Sequence, residues 1–176
     1  MREIKTYIIE KLKISINRKN VEHTLFPKTK DELKQMITSE IKENGNGCSL
    51  NHIDVSKIDD MSYIFANSKF DGDISNWDVS NVKDMSGMFY DSKFNGDISE
   101  WDVSNVKDML YMFQYSIFNG DISNWDVSNV KDMSYMFEDS NFNRDISKWD
   151  VSNVKYMKRI FNDCPLQKNP PKWYKV

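Results

Sequence analysis

Histidine is nearly missing from this sequence: its 176 residues include two, His23 and His52. There is no glycine-rich phosphate loop, no His/Cys spacing suited to a metal, and no nucleophile beside a base, so the expectation is a non-enzyme with no cofactor and no metal. Cysteine is equally scarce. Cys48 and Cys164 are separated by nearly five copies of the repeat described below. At ~4.8 Å between neighbouring strands that places them on the order of 20 Å apart, whereas a disulfide needs Cα atoms within about 7 Å. Both should be free thiols. Long hydrophobic runs are lacking too. Most, such as Tyr7-Ile8-Ile9, reach three or four residues and the longest, at 109–113, reaches five, far below the ~18 to 20 of a membrane-spanning helix, which argues against a membrane partner. The opening MREIKTYIIEKLKI breaks every apolar run with charge and lacks the hydrophobic region of a secretory signal. A cytoplasmic chain is expected as written, and a surface or secreted one only if a signal has been removed.

What the sequence has is repetition. The text FNGDISEWDVSNVKDMLYMFQYSI, residues 94–117, recurs before and after itself with a period of 24 and no insertion. Phe70, Phe94, Phe118 and Phe142 fall in one column, and Trp77, Trp101, Trp125, Trp149 and Trp173 in another. A fixed period of this length indicates supersecondary units that bury their apolar faces only by stacking on neighbours. The expected organisation is an N-terminal helical cap over 1–45, five repeats over 46–165 and a C-terminal cap over 166–176.

Within the cap, apolar spacing predicts a helix in residues 1–17, with a short strand after Leu12. Thr29 and Glu32 form a capping box that starts a second helix, from about Lys30 to Glu43, with Gly45 at its end. Leu33, Met36, Ile37 and Ile41 give that helix an apolar face. In each repeat, Ile74, Trp77 and Val79 have the L-x-x-L-x-L spacing of a leucine-rich-repeat turn and strand. The strand is expected over 76–80, with Trp77 and Val79 pointing inward and Asn76, Asp78 and Ser80 outward. Asn81 can then cap a helix whose buried face is Val82, Met85, Met88 and Phe89. Gly72, Gly96 and Gly120 are expected to supply turn dihedrals that other residues avoid, with Arg144 departing from them. The predicted fold class is α/β: a right-handed strand-helix solenoid, leucine-rich-repeat-like, with short parallel strands on one face and helices on the other. Pro170 and Pro171 should close the final edge.

The text FNGDISNWDVSNVKDMSYMF resembles the BspA-like leucine-rich-repeat group, a surface-protein repeat of mycoplasmas and many host-associated bacteria. The resemblance covers residues 50–165. It implies a strand-helix solenoid that serves in binding, often in adhesion at a cell surface.

The repeated columns carry the functional reading. Eight of the ten methionines lie in two columns and, with the tryptophans, are read as core. Asp54, Asp78, Asp102, Asp126 and Asp150 form an outward column. Either neighbouring serines, amides and water satisfy these carboxylates, or they form an acidic stripe for a basic partner. A second column, Asp73, Asp97, Asp121 and Asp145, suits a side-chain-to-backbone turn. Residues 70–141 hold 14 acidic and 4 basic side chains, a net of −10, which disfavours nucleic acid along the middle of the chain. The column His52, Asn76, Glu100, Asn124, Lys148 and Lys172 differs from copy to copy, and only differing positions can encode specificity. The predicted partner-binding residues are therefore Asn76, Asp78, Glu100, Asp102, Asn124, Asp126, Lys148 and Asp150. The expected function is a non-enzymatic protein-protein interaction module, a monomer that meets a partner with a basic patch through its strand face. The alternative is a phage or bacterial inhibitor that presents a nucleic-acid-mimicking acidic stripe to a nucleic-acid-binding protein.

Overall fold

The computed structural model describes residues 22–175. The helix and strand expected within residues 1–17 lie outside the described residues. Helix α1 spans Lys30–Asn44, close to its expected bounds. The Thr29 hydroxyl accepts the Glu32 amide proton at 3.2 Å. The Glu32 carboxylate, however, accepts from the Lys28 amide at 2.7 Å rather than from Thr29, so the reciprocal bond sits one residue early. Gly45 ends the helix at φ 86°, and its amide donates to the Ile41 carbonyl at 2.9 Å. Leu33 and Ile37 are buried, and Met36 and Ile41 pack at the core's margin. Burying Leu33 and Ile37 stabilises the cap by about 2 kcal/mol each.

Beyond α1 the expected strand-helix solenoid of leucine-rich-repeat type is not found. Among the described residues the only other helical element is a 3-10 turn, Pro165–Gln167. Among the described residues there are also no strands, and pairing is limited to six isolated parallel bridges. The chain instead winds as a stack of irregular 24-residue coils.

Local hydrogen bonding explains why residues 76–80 do not extend. The second copy contains three Asp-x-Ser steps, at 73–75, 78–80 and 84–86, as does the fourth, and the other copies contain two each. In each step of the second, Asp Oδ1 accepts the serine amide, at 3.0, 3.2 and 2.8 Å. The Trp77 amide closes a further turn on the Ile74 carbonyl at 3.2 Å. Donors that a strand would offer to its neighbour are thus consumed within the chain.

The helix expected after Asn81 fails for a different reason. Met85, Gly87, Phe89 and Asp91 donate their amides to the carbonyls of Asp108, Leu110, Met112 and Gln114 on the next coil, at 2.7–3.0 Å. The alternate amides of Met88, Tyr90 and Ser92 close turns on the carbonyl three residues earlier. Gly87 and Asp91 have φ of 57° and 45°, and the same two columns are left-handed at Tyr63 and Asn67, Tyr111 and Tyr115, Tyr135 and Asp139, and Arg159 and Asp163. A right-handed helix cannot continue through such residues. Asn81 is no cap either: its Nδ2 donates to the Ser56 carbonyl of the preceding coil at 2.7 Å.

The inward residues nevertheless match the expectation. Val82, Met85, Met88 and Phe89 are fully buried, as are their counterparts in the next two coils. Phe65, Phe89, Phe113 and Phe137 stack at 5.6–5.7 Å between ring centres, and Trp77 on Trp101 at 6.5 Å. Each buried indole N–H finds a carbonyl on the preceding coil, for example Trp77 on Leu50 at 2.9 Å and Trp101 on Ile74 at 3.2 Å, which meets the need of a buried donor. The role of Gly72, Gly96 and Gly120 is steric rather than dihedral, since none has positive φ. A Cβ on Gly96 would lie 2.8 Å from the Phe94 ring and 3.1 Å from the Gly72 carbonyl. Arg144, in the same column, turns outward and donates from Nε to the Asn119 carbonyl at 2.7 Å. At the far end, Leu166 is buried and Trp173 and Tyr174 cover Phe161.

Candidate binding surface

The residues singled out in the sequence stack along one edge, flanking the buried tryptophan column. Asp78, Glu100, Asn124, Asp126, Lys148 and Asp150 are exposed, and Asn76 and Asp102 are half-buried. Their carboxylates first serve the backbone. Oδ1 of Asp54, Asp78, Asp102, Asp126 and Asp150 accepts the amide two residues on, at 3.0–3.2 Å. The Asp78 carboxylate also accepts the Ser80 hydroxyl at 2.7 Å. At Asp150 the Ser152 hydroxyl and amide hold the carboxyl below its usual range. At Asp54 burial pushes upward, and the Ser56 hydroxyl and amide, with His23 and Lys57, outweigh it. The column at Asp73, Asp97, Asp121 and Asp145 makes the same turn bond, at 2.9–3.0 Å, as its sequence suggested. Asn76 contributes through its amide, which donates to the Asn51 side chain at 3.0 Å.

A third acidic column lies in the stretch where the sequence suggested a helix. Asp60, Asp84, Asp108 and Asp132 form the bridged ladder itself, each paired with the next across neighbouring coils. Their Oδ1 atoms accept the amides of Ser62, Ser86, Leu110 and Ser134 at 2.7–2.9 Å. Burial, aided by the charges of Asp84 and Asp132, pushes the Asp108 carboxyl above its usual range against the Leu110 amide. Tyrosines border this ladder. Tyr63 lies against Gly87, where a Cβ would come within 2.2 Å of its ring, and Tyr111 meets Tyr135 at 5.1 Å. The Asp-x-Ser spacing was the available signal for the ladder, and it was hidden by the helical spacing of its neighbours.

A polar cluster behind the last coils was also unanticipated. Glu138 is buried, with its carboxylate paired to Arg159 Nε at 2.8 Å and accepting from the Gln114 amide. Every bond this group makes is internal to the stack, which suits a structural role. Cys48 and Cys164 are unpaired thiols, as expected, and burial pushes both thiols upward. Among the described residues no group of His, Cys, Asp or Glu side chains converges to hold a metal ion, and no helix is long and apolar enough to cross a membrane.

No curated protein and no solved structure matches the chain. A family described as "Mycoplasma protein of unknown function, DUF285" matches residues 31–117 and 113–175. That match accords with the mycoplasma side of the resemblance and carries no leucine-rich-repeat assignment, in keeping with coils that lack strands. Since the two segments together run through α1, every coil and the C-terminal cover, the chain belongs to this Mycoplasma protein family, DUF285.

Proposed function

We propose that the chain is a non-enzymatic protein-interaction module that receives a basic protein surface along the edge carrying Asn76, Asp78, Glu100, Asp102, Asn124, Asp126, Lys148 and Asp150. The observation that carries this reading is the exposure of Asp78 and Asp126 at matching positions of separate coils, within a stretch whose net charge is −10. Their turn bonds fix where those charges stand, so a partner meets an ordered row rather than a mobile one. Asn76, Glu100, Asn124 and Lys148 vary along the same edge and give it a direction. Charge arranged in this way favours steering and orientation of a complementary partner. The mycoplasma surface-repeat resemblance suggests adhesion as the setting. The same ordered carboxylates also support the second reading, an inhibitor that occupies the site of a nucleic-acid-binding protein.

The test is a triple variant, Asp78→Asn/Asp102→Asn/Asp126→Asn, which keeps each Oδ1 acceptor and removes three charges. The partner is captured from lysate by the native chain and its affinity measured across salt concentrations. Loss of affinity and of salt dependence in a folded variant supports the reading. Unchanged affinity removes this edge as the binding site. Capture of a nucleic-acid enzyme favours the inhibitor, and capture of a host surface glycoprotein favours adhesion.

A further inference from the structure

The bridged aspartate ladder carries its own template for a ligand. Its first rung is occupied: Lys30, at the start of α1, places Nζ 3.1 and 3.2 Å from Asp60 Oδ1 and Oδ2 and donates to the Ser62 hydroxyl. Three acceptors meet the three N–H donors of an ammonium. The Ser62 hydroxyl turns its own proton to Asp60 Oδ1 at 2.7 Å, which leaves a lone pair for the lysine. One coil on, Asp84 and Ser86 repeat the arrangement, with the Ser86 amide 2.8 Å and its hydroxyl 2.5 Å from Asp84 Oδ1. Among the described residues no Lys or Arg pairs with Asp84 or Asp108.

The aromatic border carries a template as well. Lys158 sets Nζ 5.7 Å from the centre of the Tyr135 ring, within the range of a cation–π contact. Tyr63, 43% exposed, stands close enough to Asp84 and Asp108 for both charges to push its hydroxyl's titration upward, after burial and Tyr111. A lysine therefore sits at each end of the strip. In its middle Asp84 and Ser86 keep the acceptor set, Asp108 keeps the carboxylate with Leu110 in place of the serine, and Tyr63 and Tyr111 hold the column of Gly87 on the coils to either side, all in the most acidic part of the chain.

We propose that Asp84 and Asp108, with the Tyr63 and Tyr111 rings beside them, dock a lysine-bearing segment of a partner protein, one ammonium seating on Asp84 and Ser86 as Lys30 does on Asp60 and Ser62, and a second pairing with the Asp108 carboxylate alone. This surface is separate from the Asp78 edge, so it stands or falls independently of the proposed function. Lysine is favoured over arginine because the Asp-Ser acceptor set suits a compact ammonium, whereas a planar guanidinium needs a flat fork.

The probe is acetylated, amidated hexalysine titrated calorimetrically into the full chain at low salt. Asp84→Asn/Asp108→Asn keeps the acceptors for the Ser86 and Leu110 amides, and thermal unfolding checks that the variant is folded. We expect this variant to bind hexalysine about tenfold more weakly, the combined effect of two partly exposed charge contacts. Asp78→Asn/Asp126→Asn should change binding less than about twofold, the residue of screened long-range attraction. Hexa-arginine and hexa(trimethyl-lysine) should both bind several-fold more weakly than hexalysine. Absent binding, equal weakening by both variants, equal affinity for hexa-arginine, or tighter binding of the trimethylated peptide would each overturn the proposal. So would self-association of the native chain that the Asp84→Asn/Asp108→Asn variant abolishes, since the occupant would then be a second copy.

Discussion

Replacing Phe113 by alanine removes a ring from the middle of the core. Phe113 is fully buried and stacks on Phe89 at 5.6 Å, Phe137 at 5.7 Å and Phe118 at 4.4 Å. A buried Phe→Ala change costs about 3–5 kcal/mol through lost transfer energy and the cavity left behind. Ring pairs add about 0.5–1.5 kcal/mol each beyond area, so the upper end, about 5 kcal/mol, is expected. At roughly 0.05–0.15 kcal/mol per residue the described chain would hold about 8–23 kcal/mol in all. The loss is therefore a large fraction, and it falls where two halves of the stack meet. Because each coil contacts mainly its neighbours, weakening one junction should also separate the unfolding of the two halves. Urea titration followed by tryptophan fluorescence should show a lower midpoint and a broader or divided transition. Phe113→Leu, which keeps apolar volume at the junction, should lose markedly less. A Phe113→Ala loss under about 1 kcal/mol, a value typical of surface sites, with one sharp transition would refute the stacked-core reasoning.

Three further outcomes follow from the same geometry. Gly96→Ala should destabilise by about 1–3 kcal/mol because its Cβ meets the Phe94 ring and the Gly72 carbonyl, whereas Gly47→Ala, with nothing within 4 Å, should be neutral or slightly stabilising; thermal unfolding separates them. Asp126→Ala should cost about 1 kcal/mol by orphaning the Ser128 amide, and Asp126→Asn, which keeps the acceptor, should cost little by the same measurement. Asp108 titrates above its unfolded value because of burial, with Asp84 and Asp132 adding to it. Its contribution is therefore favourable below the unfolded pKa of about 3.9 and is lost as pH rises through the folded value. Asp108→Asn should thus stabilise the chain at pH 7, by at most about 1 kcal/mol after solvent screening, and the gain should disappear near pH 3.

The sequence was most legible where identity of columns sets packing. The period, the inward Trp, Met and Phe columns and the apolar face of α1 all follow from side-chain chemistry that any stacked backbone must bury. Backbone bonding was not legible in the same way. Val82, Met85, Met88 and Phe89 fall at helical spacing, yet linked turns of three and four residues put the same positions inward. Gly87 was a signal against a helix, but its column holds tyrosine at 63, 111 and 135, and a left-handed tyrosine is not foreseeable from its type. The Asp-x-Ser steps were visible as outward acids. Their service to the amide two residues on depends on whether the chain turns there, which the coil-to-coil bonds decide. The ladder from Asp60 to Asp132 was missed for this reason, while the edge at Asp78 was placed by its tryptophan neighbours.

The central structural claim is that alternate amides after the Asn-Val steps at 81–82, 105–106 and 129–130 bond to the next coil instead of closing a helix. Scalar couplings across hydrogen bonds, read by NMR on isotope-labelled chain, test it bond by bond. The account predicts couplings from the amide nitrogens of Met85, Gly87, Phe89 and Asp91 to the carbonyl carbons of Asp108, Leu110, Met112 and Gln114. Couplings from those nitrogens to carbonyls four residues earlier, such as Phe89 to Met85, would contradict it.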